Sequence, residues 1–199
     1  MRSRSTRSTS SPTTAAARSR SFLVARHPAR VRSLLLTNCD VHTEAPPAIL
    51  APVVAAAQRG TYADEFVRHL VDKPFARSAE GIGGICYADP ATLTDEAIEY
   101  YFSPLLRTSA RRAQFNRYIS SFLPNPLPAI EPRLAAYRGP VRVLWGEDDR
   151  VFDKSWAAWL DRTFPGSRGI RWVSGGKLFF PEEFPDVVTE GARRLWNAR

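Results

Sequence analysis

Cysteine is scarce: the 199-residue chain has two, Cys39 and Cys86. Two isolated thiols make no disulfide framework, and with no CxxC pair they make no structural zinc site either. A reducing, cytoplasmic location is the compartment they imply. No apolar run approaches the ~20 residues that a membrane span requires, so no membrane partner is expected. Histidine is equally sparse, with only His27, His42 and His69. Glycine is absent before Gly60, and glycine is what permits sharp strand-to-helix turns.

Acids are missing from the start. Residues 1–32 hold eight of the 28 Lys and Arg and none of the 20 Asp and Glu, so the formal charge of +8 belongs to that segment and the remainder is neutral. A neutral body has no broad basic footprint for phosphates, and its aromatics do not interleave with a basic stripe, so no nucleic-acid partner is expected. Met1 to Ser21 is Arg, Ser, Thr and Ala with no large apolar residue until Phe22. Three readings of it stay open: a disordered tail, an Arg/Ser-rich transit peptide, or a shifted frame joined to an unrelated body at Ser21-Phe22.

What is present centres on Pro140 to Phe152. Val141, Val143 and Trp145 alternate with Arg142 and Leu144, Gly146 ends the run, and Glu147, Asp148 and Asp149 follow. That pattern predicts a strand emptying into an acidic loop, where open α/β sheets place their chemistry. Upstream, residues 22–32 read as a helix ending before Pro28, and Val31 to Thr37 as a buried strand. From about 48 to 133 the pattern is helical. It is interrupted near Gly60 and, at Gly81 to Gly84, by a flexible connector. Thr94 caps a helix ending at Ser103-Pro104, and residues 109–122 supply another. Downstream, residues 155–164 are helical, Gly169 to Val173 is a strand, and Pro185 to Trp196 is a closing helix. Strand, helix, strand, helix implies parallel pairing.

With these elements placed, the chain resembles the carboxyl-terminal part of the α/β-hydrolase superfamily, in its haloalkane dehalogenase and epoxide hydrolase-like branch. Ala25 to Val31 followed by Leu34 to Asn38 resembles the helix after the nucleophile and the sixth strand. Val143 to Asp149 resembles the seventh strand and acid loop, and Gly175 to Pro185 the eighth strand's exit and the final helix. The resemblance implies an α/β fold with a short parallel sheet, the equivalents of strands six to eight. It divides the chain into a core at residues 22–45 and 134–199, an inserted all-helical cap at 46–133, and the tail at 1–21. It implies no cofactor, and a small apolar substrate whose ester, epoxide or carbon–halogen bond is hydrolysed.

The same resemblance assigns the candidate catalytic residues. Asp149 matches the acid that orients the histidine, with Asp40 a runner-up after the sixth strand. Lys177 stands where the histidine belongs, and lysine cannot shuttle a proton between two ring nitrogens. The nucleophile's turn would precede His27, where Thr13 to Ala17 offer no glycine. The expectation is therefore a truncated, catalytically impaired hydrolase. The competing expectation is a non-catalytic binding protein, with the uncovered sheet edge available for homo-oligomer formation. Two fragments carry little. Gly176-Lys177 lacks the other residues of a phosphate loop, and Cys39, Asp40 and His42 read as a packed strand end with no fourth metal ligand.

Overall fold

The apolar run around Trp145 becomes the middle strand of a parallel sheet. The computed structural model describes residues 21–197, with strands β1 (Leu34–Thr37), β2 (Val141–Gly146) and β3 (Ser167–Val173). Their order is β1-β2-β3 and both pairings are parallel, with Leu36 opposite Val143 and Trp145 opposite Trp172. A parallel sheet is stable when both faces are covered, and on β2 Val141, Val143, Leu144 and Trp145 are all 0% exposed. Side chains alternate between faces along a strand. Leu34, Leu36, Val143 and Trp145 join the main core with Phe152, Ala157 and Leu160. Leu144 packs in a second cluster with Leu35, Val173, Phe180, Val187 and Val188.

Strand limits differ from the sequence pattern for identifiable reasons. β1 starts at Leu34 rather than Val31. The Val31 carbonyl accepts from Tyr137 Oη at 3.1 Å, and the ladder opens with Leu34 N donating to Pro140 O at 2.9 Å. β3 starts at Ser167, ahead of Gly169. Gly169 has a φ of 83° and lies where the β2–β3 register shifts between Val141 and Val143. It is a bulge inside the strand, not its first residue.

Residues 21–26 form helix α1, ending before Pro28 because the residue preceding proline avoids helical geometry. Ser21, placed in the tail on composition, is thus helical. The rest of that tail lies outside the described residues. Between β1 and β2 come α2 (Ala51–Gln58), α3 (Tyr62–Phe66), α4 (Arg68–Val71), α5 (Lys73–Arg77), α6 (Ile82–Cys86), α7 (Asp95–Leu106), α8 (Ser109–Ser120) and α9 (Glu131–Ala135). Then α10 (Ser155–Thr163) separates β2 from β3, and α11 (Phe180–Glu183) and α12 (Pro185–Asn197) close the fold.

Two sequence expectations in the helical layer are corrected. The Gly81 to Gly84 segment is no flexible connector: Ile82–Cys86 is helical, with Gly83 and Gly84 buried. A Cβ on Gly84 would lie 2.3 Å from the Ser78 carbonyl oxygen, so these glycines allow close backbone packing. Helix α7 does not stop at Ser103-Pro104 but continues through Pro104 to Leu106. Its start is as expected, with Thr94 accepting from Ala97 N at 3.1 Å. A buried amide fastens the layer internally. Asn116 Nδ2 donates to Gly60 O at 2.7 Å and its Oδ1 accepts from Ala63 N at 2.9 Å, tying α8 to the turn between α2 and α3.

The layer is also stitched to the exit of β3. Phe179 N donates to Cys86 O at 2.9 Å, and Glu183 accepts from Ala88 N and Asp89 N at 3.0 and 2.8 Å. These bonds hold the end of α6 over the carboxyl ends of the strands.

Candidate functional site

Asp149 leaves the end of β2 in a loop with both oxygens engaged. Its Oδ1 accepts from Val151 N at 2.7 Å and its Oδ2 from Asn38 Nδ2. Asn38, buried at the end of β1, also accepts from Gly146 N through Oδ1 at 2.8 Å. One side chain thereby joins the ends of β1 and β2 and sets the orientation of Asp149. Burial holds the Asp149 carboxyl above the ordinary carboxylate value, against bonds from Val151, Asn38 and Phe152 that favour the ionised form. Asp148 is exposed, and its N–H donates to Gly176 O at 2.9 Å, linking the exits of β2 and β3.

Lys177, at the exit of β3, donates through Nζ to the Gly84 carbonyl at 2.7 Å. Between Asp149 and Lys177 electrostatically lies the buried Cys86. Burial and then the Asp149 carboxylate push its thiol up to about 12, with Lys177 acting in the opposite direction. A thiol with that value stays protonated at neutral pH and is a poor nucleophile.

Above this corner a cavity of about 690 Å³ separates the strand ends from the helical layer. Its floor includes Cys86, Val151, Leu178 and Phe179, and its walls include Val53, Phe66, Phe102, Phe115, Ile119 and Phe122 from the helices. Val151 follows Asp149 by two residues and Leu178 follows Lys177 directly, so the cavity sits beside both candidates without being lined by either. The aromatic walls interlock. Phe66 meets Phe102 edge-on at 5.2 Å, and Phe115 lies 5.6 Å from Phe66 and 5.8 Å from Tyr62.

The histidines are dispersed. His27 is exposed at the end of α1. His42, at a φ of 45°, pairs with Glu131 at 2.8 Å and packs on Trp159 with ring centres 5.0 Å apart. His69 lines the cavity, stacked on Phe66 at 4.4 Å, and burial lowers its pKa despite a contact to the Phe66 carbonyl. The bonds to Asp149 come from Asn38 and backbone amides, and from no histidine among the described residues. Asp40 is buried in the loop after β1, in the neighbourhood of Cys39 and Val41. Among the described residues no group of three or more His, Cys, Asp or Glu is arranged to hold a metal ion. The Thr13 to Ala17 stretch lies outside the described residues.

Sequence reasoning does not single out Asn38 or Cys86. For Asn38 there is a usable signal, a polar amide directly after a buried strand in the layer that also holds the acidic loop. For Cys86 there is none, because its proximity to Asp149 and Lys177 depends on how α6 docks.

No family model matches the chain, and no curated protein matches it. Solved structures do. An alpha/beta hydrolase fold protein from Burkholderia ambifaria superposes with a TM-score of 0.67 at 22% identity, covering 86% of this chain and 60% of that one. A putative ancestral haloalkane dehalogenase gives 0.62 at 18% identity over 92% of this chain and 66% of that one. A thermophilic esterase from Thermogutta terrifontis gives 0.57 at 18% identity over 88% and 59%. The chain thus spans less than two thirds of the length of each of these structures. Three parallel strands with helices on both sides, superposing on this set over most of the chain, identify the described residues as a partial α/β-hydrolase fold.

Proposed function

We propose that these residues form the cap, orienting acid and substrate cavity of a hydrolase acting on small apolar molecules at an ester, epoxide or carbon–halogen bond. The observation that carries this reading is the position of the cavity: its floor is made by the neighbours of Asp149 and Lys177, and its walls are aromatic. In this reading residues 46–133 are the cap, and 22–45 with 134–199 are the core beneath it. Asp149 is the acid, and Lys177 occupies the place of the histidine it would orient. The neighbours that are named as an esterase and a haloalkane dehalogenase support the class of bond. Among the described residues no helix is long and apolar enough to cross a membrane, which is consistent with the cytoplasmic location we propose.

Hydrolysis by this route needs a nucleophile, a base to deprotonate it or the attacking water, and an acid to orient the base. With its amine donating to Gly84 O, Lys177 is a poor base. The chain by itself is therefore catalytically impaired. Release of product from aryl esters, epoxides and haloalkanes by the purified chain tests this. Expected is turnover barely above background that disappears in Asp149→Asn. Turnover that neither Asp149→Asn nor Lys177→Ala alters would sink the hydrolase reading.

The bonds that Asp149 and Lys177 already make within the chain favour a second reading, a non-catalytic binding protein using the same cavity. Saturable ligand binding without turnover is its signature. In either reading, the outer edge of β1, which pairs only with β2 among the described residues, is the proposed surface for self-association. Sedimentation velocity would report it as a dimer that a proline within β1 abolishes.

A further inference from the structure

We infer that the cavity takes aromatic molecules that carry a hydroxyl group, with His69 Nε2 accepting from that hydroxyl and Tyr62 Oη donating to its oxygen. The inference rests on reading the cavity as the ligand or substrate site, and it names the chemical class that site takes. In the hydrolase reading the hydroxyl is an anchor, separate from the bond that is cleaved.

Tyr62, Phe66 and His69 all line the cavity. Their spacing, four residues and then three, puts them on one face of the consecutive helices α3 and α4. The rings form a row, in which Phe66 lies 5.5 Å from Tyr62 and stacks on His69 at 4.4 Å. Phe115 and Phe75 flank the row, 5.8 Å from Tyr62 and 5.0 Å from His69 respectively. An aromatic ligand thus meets an aromatic wall with a polar group at each end of the row.

Those two polar groups are complementary to a hydroxyl. A carbonyl only accepts, so the contact of His69 Nδ1 with Phe66 O at 3.3 Å places the imidazole proton on Nδ1. Burial lowers the pKa of His69, so near neutrality Nε2 carries no proton and is an acceptor. Burial raises the pKa of the Tyr62 phenol, which stays protonated and is a donor. Neither Nε2 nor Oη has a hydrogen-bond partner among the described residues, and neither is sealed from solvent. A hydroxyl is a small neutral group that both donates and accepts, so it matches the pair. An ether of similar shape can accept from Tyr62 but leaves Nε2 without a donor, and that unmet acceptor discriminates against it. The carboxylates of the wall are placed differently. Glu65 and Glu80 are exposed, and Glu182 already accepts from Tyr87 Oη at 2.8 Å.

Isothermal titration of the full chain with para-ethylphenol and para-ethylanisole tests this. The phenol should bind more tightly than the anisole. His69→Phe keeps an aromatic ring in the row and should cut the affinity for the phenol about fivefold. It should not weaken the anisole, which also reports that the variant is folded and its cavity intact. Tyr62→Phe should weaken both ligands by about twofold, because the ether oxygen can accept from Tyr62 as the hydroxyl oxygen does. An anisole that binds as tightly as the phenol, or a phenol affinity that survives His69→Phe, overturns the inference and leaves the cavity standing as a ligand site. A Tyr62→Phe variant that weakens neither ligand overturns the pairing of donor and acceptor. Failure of both compounds to bind overturns the inference together with the functional reading beneath it.

Discussion

The floor and the roof of the cavity are built by different physics. The floor presents Val151, Leu178 and Phe179 to the cavity, and a polar network beneath them holds it in place. Asn38 joins Gly146 to Asp149, Lys177 reaches the Gly84 carbonyl, and Phe179 N reaches Cys86 O. The roof is apolar, its helices held by aromatic rings and by the internal amide ties of Asn116. Directional bonds set positions closely and fail sharply when one partner is lost, whereas apolar packing tolerates exchange of similar volumes. The floor should therefore be intolerant of substitution, and the roof should be where the ligand preference is tuned.

Four substitutions bear on that contrast, in descending order of expected effect. Trp145→Ala removes the largest fully buried side chain from the central strand, and should destabilise the fold by about 3–5 kcal/mol in urea unfolding. A loss below about 1 kcal/mol would mean that the sheet is not the rigid base. Asn38→Ala leaves Gly146 N and one Asp149 oxygen without their partner, and should lose about 2–3 kcal/mol. It should also raise the Asp149 pKa further, because the bond from Asn38 favours the carboxylate. On the roof, Phe115→Leu should lose only about 1 kcal/mol while changing the relative affinities of octyl and phenyl ligands. Equal losses at Asn38 and Phe115 would erase the distinction between floor and roof.

The smallest effect is in pH dependence. The folded pKa of Asp149 is raised by burial, so the folded state holds its proton more tightly than the unfolded chain does. Its contribution to stability is fully present below the ordinary carboxylate value and is lost as pH rises through the raised folded value. In urea unfolding over a pH series, the parent should lose stability relative to Asp149→Asn across that window. A parent that instead gains stability relative to Asp149→Asn as pH rises would mean that the hydrogen bonds beneath the cavity outweigh burial.

Much of this was legible in the residues. The Val141 to Asp149 run announced a strand and its acidic exit, and Thr94 announced a helix start, because side-chain periodicity and capping are local properties. The Gly81 to Gly84 segment misled, because glycine serves both flexibility and close packing, and only the Ser78 and Ala76 carbonyls pressed against it distinguish the two. Gly169 misled in the same way, as a bulge that reads like a strand start. Asp149 and Lys177 were candidates through the resemblance alone, whereas the contact of Asn38 with Asp149 and the place of Cys86 beside both arise only where distant loops meet.

The sequence by itself determined a parallel strand-helix alternation, a helical layer between the first two strands, and an acid at the exit of the second. Periodicity and turn chemistry act over a few residues and need no partner. The tertiary structure alone decided that Asp149 is held by Asn38, across 111 positions of chain, and that Lys177 is tied to Gly84, across 93. It alone gathered residues of the helical layer and of the loops after β2 and β3 around an aromatic cavity. Those outcomes depend on how helices dock over the strand ends, and docking is fixed by the packing of all the elements together.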